Sequence, residues 1–134
     1  MPADPRPTGV DLTAVHERLK TLLGPYRQQL TVGKDDNGGM TLELPGHEGK
    51  PWGYVAGTRL GKRYVSYYLM AIYGDEDLAA TISPDLRRRM QGKSCFNFTK
   101  IDETLFAELE TLTDKSIARQ PGITDAALAA RPRR

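Results

Sequence analysis

The chain has 134 residues, a formal net charge of +2, 39% hydrophobic and 27% charged residues, and a single cysteine. That length fits one domain burying roughly two-thirds of its unfolded surface. No apolar run approaches the roughly 20 residues of a membrane helix, and one thiol excludes a disulfide framework. Residues 1–9 lack the apolar core of a signal peptide and read as a disordered lead to a cytoplasmic protein. Residues 1–120 hold equal numbers of Lys+Arg and Asp+Glu, so the positive excess belongs to Arg131, Arg133 and Arg134 of the tail. A balanced folded part argues against nucleic acid as a partner.

In chain order, Leu12, Val15, Leu19, Leu22 and Leu23 recur at helical spacing and predict a first helix. Gly24-Pro25 ends it, glycine being suited to a left-handed cap and proline unable to continue. Strand-like runs follow at Leu30 to Val32 and Met40 to Leu44, separated by Asn37-Gly38, whose residues tolerate the positive φ of a tight primed turn. Residues 45–51 read as a loop. Trp52 to Arg59 and Tyr64 to Ile72 read as longer strands joined at Leu60 to Arg63, on their tyrosine, valine and tryptophan content. Leu78 to Ile82 predicts a helical turn, and Ser83-Pro84-Asp85 a capped helix running to about Gln91 and closed by Gly92. Ser94 to Phe98 is the next strand. Leu105, Phe106, Leu109 and Leu112 form the stripe of a last helix ending before Pro121, and residues 121–134 read as a basic, frayed tail. The expected fold is a two-layer α+β sandwich over residues 10–120, in the order α-β-β-β-β-α-α-β-α. Its sheet is five-stranded and mostly antiparallel, with helices packed on one face.

The richest stretch for chemistry is Met90 to Phe98. By alternation Ser94, Phe96 and Phe98 share one face of its strand, and Lys93, Cys95 and Asn97 the other. The strand from Tyr64 has its polar face at Tyr64, Ser66 and Tyr68. If the two strands share a sheet, Lys93, Cys95, Asn97, Ser66 and Tyr68 line one polar cleft, and the lysine suits it to an anion. The competing reading makes Cys95 a small buried hydrophobe and Asn97 the tie of a loop. Neither His16 nor His47 is placed by sequence as a base for Cys95, and two separated histidines with one cysteine do not make a zinc site. Asp35-Asp36-Asn37-Gly38 opens like a calcium loop, but its twelfth position is Gly46 where a glutamate is needed. Gly57 to Arg63 has the wrong spacing for a phosphate loop and reads as a hairpin turn. Arg87, Arg88 and Arg89, with Lys93 and Lys100 nearby, form either an anion-binding edge or a solvated face.

Four runs carry a resemblance: Tyr64 to Met70, Ile82 to Leu86, Met90 to Phe98, and Asp102 to Leu109. They resemble the bacterial YdhG-like domain family, whose function is unknown, over about residues 10–120; Gly92 to Phe98 is the most specific part. The resemblance implies a small two-layer α+β domain. Some members are described as iron chaperones by likeness to frataxin, a role that implies carboxylates able to hold a hard cation. Members often carry histidine where this chain has Tyr68. Three functional readings follow. One is a non-enzymatic module binding a small anionic ligand in the polar cleft. Another is an iron-binding protein using Asp75, Glu76, Asp77, Asp102 and Glu103, iron being the one cofactor in view. The last is a protein-interaction domain without a small ligand.

Overall fold

A computed structural model describes residues 11–130; the expected disordered lead of residues 1–9 and the arginines of the tail lie outside them. Helix α1 spans Asp11–Leu23. It is followed by strands β1 (Thr31–Asp36), β2 (Gly39–Glu43), β3 (Tyr54–Leu60) and β4 (Val65–Leu69). Three short helices come next, α2 (Ala71–Gly74), α3 (Glu76–Ala80) and α4 (Pro84–Arg87). Strands β5 (Met90–Gln91) and β6 (Cys95–Phe98) and the long helix α5 (Glu103–Ala129) complete the order. The architecture is α+β, with one sheet in the order β1-β2-β3-β4-β6-β5, antiparallel throughout.

Several elements differ from the sequence reading, each for a local reason. The sheet has six strands rather than five, because the segment expected to finish a helix at Gln91 pairs instead with β6. Helix α4 ends at Arg87, and the amide of Asn97 donates to the carbonyl of Arg89 (2.8 Å), so the sheet edge takes over the backbone. Gly92, with φ 76°, serves the β5–β6 turn and not a helix end. The strand expected to reach Ile72 stops at Leu69, and Ala71–Gly74 turns into α2. Gly24 is not left-handed; α1 tightens into a 3-10 turn over Gly24–Tyr26, whose first turn tolerates Pro25.

The β1–β2 hairpin forms at Asn37-Gly38 as expected, by a different device. Gly38 does not take a positive φ. The carboxylate of Asp36 accepts from the amides of Gly38 (2.8 Å) and Gly39 (3.0 Å) and closes the turn.

Helix α5 runs through Pro121 to Ala129, well past its expected end, so residues 121–129 are helical rather than frayed. An interior proline costs about 3 kcal/mol. Pro121 is itself exposed, while Gln120 and Thr124 beside it are buried. The hydroxyl of Thr124 donates to the carbonyl of Trp52 (3.2 Å), and Ile123 packs against Gly74. Tertiary contact on both sides of the proline outweighs its penalty.

The core lies between one face of the sheet and helices α1 and α5. Met40, Leu42, Ala56, Val65, Tyr67, Leu69, Phe96 and Phe98 point into it from the strands, Val15, Leu19 and Leu23 from α1, and Phe106 and Leu109 from α5. The rings of Phe98 and Phe106 meet edge to face at 5.0 Å. In the same interior the hydroxyls of Tyr67 and Thr113 bond at 2.6 Å. No helix among the described residues is long and apolar enough to cross a membrane.

His16 is wholly buried on α1, with Nε2 2.8 Å from Oγ1 of Thr58 and Nδ1 unpartnered. Burial first, and the charge of Lys20 second, pull its pKa below the ordinary 6.5, against weaker opposition from Glu17, the Asn37 backbone and Asp36. The unfolded chain therefore binds a proton near pH 6.5 that the folded chain refuses. Stability should be full above that pH, and should fall as the pH drops toward the lowered value. Urea denaturation between about pH 5 and 7 should show this slope, and His16→Gln should flatten it.

Candidate functional site

The face of the sheet opposite the core carries Lys34, Thr41, Tyr54, Arg59, Tyr68, Cys95 and Asn97, all partly or fully exposed. Alternation along each strand places them there, because the neighbours of each point into the core. The strand register then brings the expected cleft residues together: Ser66 stands opposite Asn97, and Tyr68 opposite Cys95. Oδ1 of Asn97 accepts from the Ser66 hydroxyl (2.7 Å) and from the Cys95 thiol (3.4 Å). Its Nδ2 donates to Oε1 of Gln91 (2.7 Å). Four of the five expected residues are therefore adjacent, but the amide spends its acceptor inside the protein. This patch is a knot that fastens β4, β6 and β5.

Lys93 does not join it. The side chain leaves the β5–β6 turn and sets its ammonium 5.6 Å from the ring centre of Tyr73. Cys95 is half-buried, and that burial raises its thiol pKa, opposed by the nearby hydroxyls of Ser66 and Tyr68. The sulfur is thus held as a protonated thiol, the opposite of what a nucleophile needs. His47 is likewise engaged, its Nδ1 accepting from the indole of Trp52 at 3.0 Å.

Three of the five carboxylates expected to hold iron have structural duties. Asp75 caps α3 by accepting from the Leu78 amide (2.9 Å) and pairs with Arg119 (2.9 Å). Asp102 caps α5 through the Leu105 amide (3.2 Å). Glu103 accepts two bonds from Arg18, at 2.7 and 2.9 Å, which hold its carboxyl below the usual range. Glu76 and Asp77 are exposed in the first turn of α3. Among the described residues, no three His, Cys, Asp or Glu side chains assemble as a metal site.

The sheet face holds a hollow that the sequence reading missed. It measures about 230 Å³ and is bounded by Lys34, Thr41, Tyr54, Arg59 and Tyr68. Gly38 and Gly39 also line it, and Gly57 lies beneath the Tyr54 side chain. A methyl group at Gly57 would lie 2.3 Å from the Tyr54 hydroxyl and 2.5 Å from the Met40 carbonyl, and one at Gly39 would lie 2.8 Å from the Thr58 carbonyl. The Tyr54 ring settles over the bare backbone of Gly57, 6.3 Å from the ring of Tyr68 in an edge arrangement. Burial, and then the neighbourhood of Tyr68, Cys95 and Glu43, drives the Tyr54 phenol well above its ordinary pKa of 10.0, so it stays a hydrogen-bond donor at neutral pH. Lys34 and Arg59 have no carboxylate partner among the described residues. The pattern Gly39-x-Thr41 facing Gly57-x-Arg59 was readable as strand alternation. Only the structure shows that Gly57 lies under the Tyr54 ring.

The Asn97 knot makes a stability prediction. Asn97→Leu strands the buried Ser66 hydroxyl and should cost about 1–3 kcal/mol in urea denaturation. Adding Ser66→Ala should recover part of that loss, because the orphaned group then disappears.

Comparison with protein-family models, curated proteins and solved structures yields no match to this chain. The YdhG-like resemblance therefore rests on its sequence runs alone.

Proposed function

We propose that the protein is a binding module without catalytic activity of its own, and that it holds a small anionic group in the hollow on the sheet face opposite the core. The observation that carries this reading is the meeting of two cations, Lys34 and Arg59, without a carboxylate partner among the described residues, at one hollow that Gly38 and Gly39 also line. The uncharged phenol of Tyr54 and the hydroxyl of Thr41 add donors around the same space. At about 230 Å³ the hollow is below the roughly 300–1,000 Å³ of sites for drug-sized ligands, and matches a phosphate- or carboxylate-sized group. The anion partner expected from sequence is retained; its anchor moves from Lys93 to Arg59 and Lys34.

Amide NMR with inorganic phosphate tests the proposal. Saturable shifts at Lys34, Gly39, Thr41, Gly57 and Arg59, with a dissociation constant on the order of 1 mM, are expected. Arg59→Ala should weaken binding at least tenfold while leaving the melting temperature unchanged, since the side chain is exposed. Lys93→Ala should bind as the parent does. Shifts centred on Lys93 and Tyr73, or none at all, would refute the reading.

A further inference from the structure

The cations of the described chain fall into two groups. Arg18, Lys20, Arg27, Arg88 and Arg119 pair with carboxylates. Arg87 donates to backbone carbonyls, and Lys50 and Lys93 lie over aromatic rings. Lys34, Arg59, Lys62, Arg63, Arg89, Lys100 and Lys115 have no such partner among the described residues. All of these except Lys115 collect at one end of the sheet. Arg59 pairs across to Gly39 and Ser66, and Lys62 and Arg63 occupy the β3–β4 turn that follows. Val65 pairs with Phe98, which brings Lys100 to the same end, and Arg89 reaches it beside Asn97 at the edge.

Two adjoining hollows lie along this end. The one described above shares Arg59 and Leu60 with a second of about 570 Å³, lined also by Lys62, Arg63 and Tyr64. A separate one, of about 710 Å³, lies between α4, the segment after β6 and the start of α5; it contains Arg89, Thr99 and Lys100 and shares no residue with those two. Asp85 and Asp102 also border it, but Asp85 is paired with Arg88 and Asp102 caps α5. The six strands cover about 24 Å at about 4.8 Å per step. A spherical anion has no use for so long a row. A flexible polyanion with flat groups does, because Tyr54, Tyr64 and Tyr68 border the first two hollows.

We infer that this face docks single-stranded nucleic acid, its phosphates meeting the unpaired cations and its bases meeting the tyrosines. The inference rests on the anion-binding reading and names the anion. Single strands are favoured over duplex because only they offer base faces to rings set on an open sheet. The balanced overall charge is no obstacle, because Asp35, Asp85 and Glu103 are paired with cations, Asp36 is held by the hairpin amides, and Glu43 stands at the far end of β2.

The test uses the full chain and a fluorescent oligouridylate of about 10 nucleotides, within the range of site sizes for such surfaces. Anisotropy is read between about 50 and 200 mM salt. Micromolar binding is expected, with log K falling against log salt by about 0.7 for each phosphate contacted. Arg59→Ala/Lys62→Ala/Arg63→Ala should weaken binding at least tenfold and reduce that slope by about two. Tyr68→Leu should weaken binding severalfold with the slope unchanged, the signature of lost stacking. Lys115→Ala should change nothing. Arg131, Arg133 and Arg134 are present in every protein compared, so an unaltered triple variant would overturn the inference. Binding of duplex RNA or polyglutamate as tight as that of the oligouridylate would also overturn it. If inorganic phosphate binds but oligouridylate binds no tighter, the nucleic-acid inference falls and the anion reading stands; if neither binds, both fall.

Discussion

Tyr67 fixes the meaning of every other position on the central strands. Its hydroxyl is bonded to Thr113 of α5 in a fully buried setting, between Val65 and Leu69 on one strand and opposite Phe96 on the next. Slipping β4 by one residue would turn that ring out of the core, point Ser66 and Tyr68 into it instead, and leave the Thr113 hydroxyl without a partner. The register is therefore over-determined from the core side. The composition of the opposite face is a consequence: whatever alternates with Val65, Tyr67, Leu69, Phe96 and Phe98 must stand on the side away from the core. The tyrosines, the cysteine and the asparagine are held there by what lies beneath them.

That dependence explains how much was legible in the sequence. The apolar spacing of α1 and of the start of α5, the Ser83 cap, and the two-faced reading of β4 and β6 all rest on local periodicity, and the structure agrees with them. Elements decided by distant contacts were not readable. Pro121 looks like a stop until Trp52 and Gly74 are known to lie against the residues around it. Met90 and Gln91 look like the end of a helix until β6 offers them a partner. The cleft was read with the right strands, yet its lysine was misplaced, because a side chain in a turn obeys no alternation. Tyr54, Gly57 and Arg59 were passed over, since two glycines are silent until a neighbouring ring is seen to rest on one of them.

Charge shows the same gap between sum and arrangement. Equal numbers of acids and bases over residues 1–120 describe a neutral protein at long range. The acids, however, cap helices and pair with selected arginines, as Asp75, Asp102 and Glu103 do. Each such engagement leaves cations elsewhere uncompensated, and the fold gathers most of them at one end. A local field is set by which charges are spent, not by how many there are.

The two ends of the sheet order also bear on how the protein stays apart from its copies. An open antiparallel sheet presents unpaired backbone at both outer strands, a template for edge-to-edge growth. Here one outer strand, β5, is only two residues long and offers almost nothing to extend. The other, β1, shifts register between Val32 and Lys34 and continues into Lys34, Asp35 and Asp36, so an incoming strand meets a kink followed by three charged residues. Both margins of the sheet thus carry features that discourage pairing with a further strand.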